Sequence, residues 1–148
     1  MYARILVAVD DSRGSTRAVA HAIALTKAFG AKLKVLHVVD MGWLVLGSEL
    51  AVDTEQMTDA RREQGAKTVA LALEQAHAAG VETESCLIET EAPNQRVAEK
   101  IVAEAAGWPA DLLVLGTHGR TGAERWMLGS VAEGVARRSA VPVLLVHE

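Results

Sequence analysis

Short apolar runs recur along the chain, and each one ends at polar or glycine residues. Most of the runs are nearly continuous, a pattern typical of strands that are covered on both faces of a parallel sheet. The run at residues 81–89 alternates loosely instead, which predicts a more exposed strand near a sheet edge. Pro142 cannot donate to a strand ladder, so the last strand is predicted to be an edge or to begin just outside the pairing. The five predicted strands cover residues 5–9, 33–39, 81–89, 112–115 and 141–146.

Apolar residues at helical spacing fill the segments between these runs. A polar turn at residues 12–16 is predicted to precede the first helix, which Gly30 ends. Ser130 and Glu133 have the spacing of a capping box, which predicts that the last helix starts at Ser130. Gly134 inside that helix costs roughly 1 kcal/mol relative to Ala, and no sequence pattern explains it. The predicted helices cover residues 18–29, 54–79, 97–105 and 130–139.

The alternation of strands and helices predicts an α/β fold, an open parallel sheet with right-handed crossovers and helices on both faces. The chain has no internal repeat and no low-complexity linker, so one domain over residues 1–148 is expected. Ligands bind to such sheets beyond the carboxyl ends of the strands. Asp10 and the loop after Leu115 each follow a predicted strand, so we expect both to border one crevice. Residues 41–53 show no clear period and are predicted to form a flap or an irregular loop.

Composition narrows the classes of partner. Charged residues make up 23% of the chain, the formal net charge is −4, and no basic run is longer than two residues. Duplex binding depends on clustered Lys and Arg, so these values argue against a nucleic-acid partner. The apolar run at the N-terminus is too short to span a bilayer and lacks the layout of a cleavable signal, which predicts a cytoplasmic protein with no membrane span. Cys86 is the only cysteine, and we interpret it as a small buried hydrophobe.

A spaced glycine pattern follows the fourth strand, with Gly116 and Gly119 first and Gly129 immediately before the last helix. Backbone N–H groups that no side chain covers, next to a helix N-terminus, favour an anion such as phosphate. The pattern is neither a Walker A loop nor G-x-G-x-x-G. The alternative is that the glycines serve only a tight strand exit and a helix C-cap. His118 lies among these glycines and either orients the loop or is an ordinary surface histidine.

The glycine pattern occurs together with three further motifs. The chain opens with Ile-Leu-Val-Ala-Val-Asp-Asp-Ser at residues 5–12, ends its second strand with Leu-His-Val-Val at 36–39, and closes with Gly-Ser-Val-Ala-Glu and Val-Pro-Val-Leu-Leu-Val. Over essentially its whole length the chain thereby resembles the universal stress protein family. The resemblance implies a Rossmann-like sheet in the order 3-2-1-4-5 and a homodimer, which pairing of the C-terminal strands at residues 141–147 would form. For the branch of the family that carries the glycines, it also implies bound ATP, ADP or AMP, with Mg²⁺ carried in by the nucleotide.

The resemblance also implies which residues would form the nucleotide site. Asp10 would meet the ribose or a phosphate-bound metal, and the main chain around Val38 would meet the adenine edge. Backbone N–H groups of Gly119, Gly129, Ser130 and Val131 would hold the phosphates, and Arg120 would add positive charge. The chain departs from the family pattern where Ala8 replaces a proline and Ala132 replaces a hydroxyl residue. The complete set of implied residues is Ala8, Asp10, Val38, Leu115, Gly116, His118, Gly119, Arg120, Gly129, Ser130 and Val131.

The resemblance implies a homodimeric, nucleotide-responsive stress regulator rather than an enzyme, with a regulatory protein as a further partner. No water-activating base is evident, so any ATPase activity should be slow, and no catalytic or metal-ligating set is assigned. Two alternatives stay open: an interaction protein whose glycine loop is empty, and an enzyme of the same broad fold that transfers an adenylyl group or cleaves an α-phosphate bond. Asp10 has a simpler interpretation as a cap for the turn that follows it. Glu133 would repel phosphates unless the capping box holds its carboxylate back.

Overall fold

The computed structural model describes residues 1–44, 50, 53–91, 94–118 and 127–148. Strands and helices alternate along these residues, and all four strand pairings of the sheet are parallel. The strand order is 3-2-1-4-5, which confirms the predicted fold class. The elements are β1 (Arg4–Ala8), α1 (Arg13–Phe29), β2 (Lys32–Val39), α2 (Thr54–Ala78), β3 (Thr83–Glu89), α3 (Val97–Gly107), β4 (Leu112–Gly116), α4 (Ser130–Arg138) and β5 (Val143–Val146).

The two faces of the sheet carry two separate apolar clusters, because successive side chains of a strand point to opposite faces. Helices α1 and α2 cover one face and α3 and α4 the other. Strands β3 and β5 are the two edges, as predicted, and Pro142 lies just outside β5. In the part of the chain that the structure describes, no helix combines the length and the apolar content needed to cross a membrane.

Helix α1 begins earlier than the sequence pattern indicates. The segment predicted to be a polar turn at residues 12–16 instead contains the N-cap Ser12 and the first helical turn. The Ser12 hydroxyl accepts a hydrogen bond from the backbone N–H of Ser15 at 3.2 Å. A capped first turn tolerates small polar residues, which explains why the apolar spacing alone placed the start too late.

Helix α4 begins at Ser130 as predicted, but the predicted capping box is wrong. Gly129 is the N-cap, so Ser130 occupies the first helical position and no side chain caps the helix. The Glu133 carboxylate instead accepts a hydrogen bond from Arg137 Nε at 2.9 Å, one turn further along. The charge of Glu133 is therefore drawn away from the helix N-terminus by an ion pair.

Gly134 has a packing reason that the sequence does not reveal. A Cβ atom added at this position would lie 2.6 Å from the Cβ of Ala98 on α3. Real Cβ atoms do not approach so closely, so glycine is what allows α3 and α4 to pack together on this face. The helix propensity lost at Gly134 is thus offset by contact between two helices.

The predicted irregular segment at residues 41–53 lies partly outside the described residues, which exclude 45–49 and 51–52. At its start, Met41 is buried and its carbonyl accepts from the N–H of Leu44 at 3.1 Å. Cys86, predicted to be buried, is half-buried on the edge strand β3, and burial raises the pKa of its thiol. The thiol therefore stays protonated more readily than a free cysteine.

Candidate functional site

A crevice of about 610 Å³ lies beyond the carboxyl ends of β1, β2 and β4. Its other walls are the N-terminal end of α4, the start of α3 and one side of α2. The structure brings nine of the eleven sequence-predicted site residues to this crevice: Ala8, Asp10, Val38, Leu115, Gly116, His118, Gly129, Ser130 and Val131. The other two, Gly119 and Arg120, lie outside the described residues.

The N-terminal end of α4 presents unpaired donors to the crevice. The first N–H groups of any helix have no partner inside the helix, and here the N-cap Gly129 has no side chain to accept from them. Ser130, Val131 and Ala132 form this first turn and line the crevice. Their N–H groups and the positive end of the helix dipole together favour an anion.

Gly129 itself differs from its predicted role. Its N–H group donates to the carbonyl of Thr117 at 2.7 Å, so it is not one of the open donors. This hydrogen bond joins the end of β4 to the start of α4, and thereby fixes the two ends of the glycine loop against each other. Gly129 contributes the bare N-cap and the closed base of the loop.

His118 belongs to a hydrogen-bonded network that holds the same loop base. Its Nε2 donates to the carbonyl of Met127, and its Nδ1 lies 3.0 Å from the Thr117 hydroxyl. A carbonyl can only accept, so Nε2 carries the hydrogen and Nδ1 accepts from the Thr117 hydroxyl when the ring is neutral. The Thr117 oxygen also lies 3.3 Å from Nδ1 of His147, just past β5. Of the two sequence interpretations of His118, the one that orients the loop fits these contacts.

Asp10 acts as a local cap and also leaves an oxygen open. Its Oδ1 accepts from the N–H of Ser12 at 2.8 Å, as in an Asx turn. Its own N–H donates to the Ser15 hydroxyl at 3.0 Å, which ties the end of β1 to α1. No hydrogen bond to Oδ2 occurs among the described residues, and this oxygen belongs to a half-buried carboxylate on the crevice wall.

The backbone of Val38 is also open to the crevice. Each residue of a parallel strand turns its N–H and C=O toward one neighbouring strand, and successive residues alternate between the two neighbours. The carbonyl of Leu36 accepts from Val9 on the β1 side, and that of Val39 bonds on the β3 side. Val38 therefore faces the β1 side. Because the last registered pair of β1 is with Leu36, Val38 lies past the end of that ladder.

Gly116 has a structural role next to any role in binding. A Cβ atom there would lie 2.9 Å from the backbone carbon of Gly14 and 3.2 Å from the nitrogen of Ser15. The absence of a side chain thus lets the N-terminal turn of α1 rest directly on the end of β4. The alternative interpretation, that the glycines serve only the strand exit, accounts for this glycine but not for the bare N-cap of α4.

Several crevice residues lie on α2, and the sequence pattern did not predict them as site residues. Arg61 and Gln64 line the crevice, as do Met57 and Thr68 on the same face of the helix. The Arg61 guanidinium lies 5.1 Å from the ring centroid of Trp43, a cation–π contact. Polar residues on a long helix are ordinarily its solvent face. Only the spacing 57, 61, 64 and 68, which places them on one side, could have marked them.

His37 is a further crevice residue with a defined contact. Its Nδ1 donates to the carbonyl of Val9 at 2.7 Å, which joins the ends of β2 and β1. This hydrogen bond gives the His37 ring a structural role at the strand end. Within the described residues, no group of three or more His, Cys, Asp or Glu side chains is placed to hold a metal ion.

Comparisons with known proteins by sequence and by structure point to one family. The model of the universal stress protein family matches residues 1–147. Universal stress protein MJ0531 of Methanocaldococcus jannaschii is 36% identical over 148 residues, covering 100% of this chain and 84% of the relative. The solved structure of hypothetical protein MJ0577 is 24% identical with a TM-score of 0.82, covering 100% of this chain and 97% of that one, and it shares the fold. A universal stress protein solved in complex with cAMP is 29% identical with a TM-score of 0.68, covering 99% and 97% of the two chains.

Proposed function

The chain belongs to the universal stress protein family, and from that premise we propose that it binds an adenine nucleotide, with ATP as the principal ligand, and acts as a nucleotide-responsive regulator. The observation that carries the proposal is the uncapped N-terminus of α4, which faces the same crevice as the open backbone of Val38. A phosphate group and a base would thus find complementary partners on two walls of one cavity. The cAMP complex of a family member supports the choice of an adenine nucleotide.

The phosphates would lie at the first turn of α4, where the N–H groups of Ser130 and Val131 have no internal partner. The Glu133 carboxylate is held by Arg137 at 2.9 Å, and this exposed ion pair offsets part of its repulsion of the phosphates. The network of His118 and Thr117 would keep the loop base in place for this contact. Ala132 lacks a hydroxyl, so it offers only its backbone N–H.

The base would lie against Val38, whose N–H and C=O match one acceptor and one donor on the Watson–Crick edge of adenine. Ala8 and Leu115 provide apolar surface on the same wall. Asp10 follows β1, which lies between β2 and β4, so it would lie between base and phosphates. Its open oxygen would accept from a ribose hydroxyl or contact a phosphate-bound Mg²⁺. Mg²⁺ would be held mainly by the phosphates, and it would supply charge neutralisation there.

The geometry favours retention of the nucleotide over its hydrolysis. Asp10 holds the turn with Oδ1 and would offer Oδ2 to the ribose or Mg²⁺, and the His118 ring holds the loop, so neither is free to activate a water. Fast phosphoryl transfer needs a positioned base or water-orienting group together with a charge clamp at the γ-phosphate. We therefore propose a binding and regulatory role, with any turnover slow.

The test of the phosphate site replaces Gly129 by Asp. The N-cap position has φ −61° and ψ 152°, a conformation that suits a capping Asp. The new carboxylate would accept from the first-turn N–H groups of α4, so the variant should fold at least as stably as the wild type yet lose its nucleotide. The readout is the adenine nucleotide released on heat denaturation of freshly purified protein.

Gly129→Ala is the matched control, because a methyl group neither accepts from the helix N–H groups nor carries charge. It should retain nucleotide at about one per subunit, like the wild type. Retention by Gly129→Asp equal to that of Gly129→Ala would overturn the assigned phosphate site. Conversion of added ATP to ADP or AMP at a substantial rate would instead favour the enzyme alternative.

We also propose that the protein forms a homodimer through residues 141–147. Strand β5 has only β4 as a neighbour among the described strands, and three of its four residues are half-buried apolar side chains. The carbonyls of Pro142 and Val146 bond to β4, so by alternation the N–H of Val143 points to the open edge. Pairing of two such edges would close both sheets.

Val143→Pro tests this dimer, since it removes an outward donor while the inward ladder to β4 is kept. We expect a dimer for the wild type and a folded monomer for the variant, measured by light scattering with circular dichroism as the check on folding. A wild type that is monomeric, or a variant that stays dimeric, would contradict the assignment.

A further inference from the structure

Helix α2 is much longer than the strands it covers. It has 25 residues, which corresponds to about 37 Å at 1.5 Å per residue, whereas the longest strand, β2, has 8 residues and spans roughly 26 Å. The residues of α2 that pack on the sheet come from its second half: Val69, Ala72 and Ala76. The residues of α2 that line the crevice lie nearer its start: Met57, Ala60, Arg61, Gln64, Gly65 and Thr68.

One contact sets how closely this wall approaches the side chains of β2 and β3. A Cβ atom at Gly65 would lie 2.8 Å from Cδ2 of His37 and 2.9 Å from Cδ1 of Leu87, so the helix comes this near only because residue 65 is glycine. Gln64 precedes Gly65 on the helix, and Val38 follows His37 on the strand. Both residues border the same crevice.

The Gln64 side chain has no hydrogen bond among the described residues. Gln75 of the same helix differs, because its Nε2 donates to the carbonyl of Thr16 at 3.3 Å. A carboxamide offers one acceptor and two donors, and at Gln64 all of them are available to a ligand.

We propose that Gln64 determines the base specificity of the crevice by reading the N6 and N7 atoms of adenine. This inference rests on the proposed function. With the Watson–Crick edge of the base on Val38, one N6 hydrogen and N7 remain on the neighbouring edge. The carboxamide oxygen accepts from N6–H and the amide N–H donates to N7, the bidentate pairing that Gln makes with adenine.

Guanine does not match the hydrogen-bonding groups of Gln64 and Val38. It presents two acceptors, O6 and N7, so the Gln64 oxygen would face O6 with no hydrogen between them. At Val38 the guanine O6 would likewise face the backbone carbonyl, and N1–H would face the backbone N–H. The two recognition elements reject guanine on separate edges, which is more discriminating than either alone.

Arg61 and Thr68 are the other polar side chains of α2 in the crevice, and neither fits this role. The Thr68 hydroxyl donates to the backbone carbonyl of Gln64 at 3.0 Å, so its hydrogen is already used within the helix. A guanidinium has only donors, so it cannot accept from N6–H and would instead suit guanine O6 and N7. Its stacking over Trp43 at 5.1 Å gives it a defined position apart from that pairing. The choice of adenine therefore falls to Gln64.

The experiment compares the affinities of ATP, 7-deaza-ATP and GTP for nucleotide-stripped protein by titration calorimetry. The wild type should bind 7-deaza-ATP roughly 3- to 10-fold more weakly than ATP, because the analogue lacks the N7 acceptor. Gln64→Ala should bind ATP and 7-deaza-ATP equally. Gln64→Glu should weaken ATP by roughly 5-fold or more, since a carboxylate cannot donate to N7.

Gln56→Ala is the matched control: Gln56 is a glutamine of the same helix that is exposed, as Gln64 is, but does not line the crevice. It should keep the wild-type ratio of ATP to 7-deaza-ATP affinity. If the wild type binds ATP but shows the same ratio as Gln64→Ala, the role of Gln64 is overturned while the proposed function stands. If the wild type binds no adenine nucleotide, both are overturned.

Discussion

An aspartate lies at each end of the sheet, and the two aspartates have different roles. At the amino end, Asp111 Oδ2 accepts from the backbone N–H groups of Ala3 and Arg4 at 2.9 and 2.8 Å. Arg4 also donates from Nε to the carbonyl of Pro109 at 2.8 Å. At the carboxyl end, Asp10 accepts one N–H with Oδ1, and its second oxygen faces the crevice.

The difference shows where the fold keeps its polar groups paired and where it leaves them open. Buried or half-buried polar groups without partners cost stability, so open groups persist where a ligand can satisfy them. The amino end satisfies its groups internally and acts as scaffold. At the carboxyl end, the backbone of Val38 and the first turn of α4 have open hydrogen-bonding groups that a ligand can pair.

The largest effect on stability is expected at Gly116. This residue lies at the carboxyl end of the sheet but has a structural role, so it is an exception to the division between the two ends. Gly116→Ala would push a methyl group to 2.9 Å from the backbone of Gly14, and backbone cannot move aside as a flexible side chain can. We expect a loss of about 1–3 kcal/mol in the free energy of unfolding. Urea denaturation followed by circular dichroism measures it.

Gly107→Ala is the control for that substitution. Nothing lies within 4 Å of a Cβ atom at Gly107, which ends α3, so the same chemical change should be neutral or slightly stabilising. Equal stability of Gly116→Ala and Gly107→Ala would show that α1 and β4 can separate at no cost, and the crevice floor would not be rigid.

The next largest effect on stability is expected at Asp111, at the amino end of the sheet. Hydrogen bonds from the N–H groups of Ala3 and Arg4 lower the pKa of Asp111 below its usual value. Asp111→Asn keeps the shape but removes the charge, so it should lower the melting temperature at pH 7. The stabilisation is complete above the unfolded-state pKa of about 4 and is lost as pH falls through the lower folded-state pKa.

The melting temperatures of wild type and Asp111→Asn should therefore converge below about pH 4. Differential scanning calorimetry between pH 7 and pH 2.5 follows the gap. A gap that stays constant across this range would mean that the carboxylate charge does not contribute, and that Asp111 acts only through its shape.

The smallest effect on stability belongs to the matching carboxylate at the other end. Asp10→Asn retains an oxygen that can accept from the N–H of Ser12, so its free energy of unfolding should stay within about 0.5 kcal/mol of the wild type. Its affinity for ATP with Mg²⁺ should fall, because a neutral amide is a weaker acceptor and metal ligand than a carboxylate. Unaltered affinity together with clear destabilisation would reverse the roles assigned to the two ends.

Much of the fold follows from local pattern. Continuous apolar runs predicted the strands, and Gly30 ends α1 with φ 63°, as a left-handed C-cap should. The order of the strands was implied only by the family resemblance, because the runs themselves do not say which strands are neighbours. The capping box of Ser130 and Glu133 was wrong for a local reason: spacing cannot tell an N-cap from the position after it.

The sequence by itself determined the alternation of strands and helices, the polar residues at the strand ends and the glycine loop, since each depends on neighbours in the chain. Only the tertiary structure decided why Gly134 and Gly116 are glycines, because the atoms they would meet belong to other elements. It alone brought Arg61 and Gln64 to the crevice, through the approach of α2 to β2 at Gly65. Crevice residues on a helix that is distant in sequence cannot be recognised from their neighbours in the chain, because their role depends on the residues across the cavity.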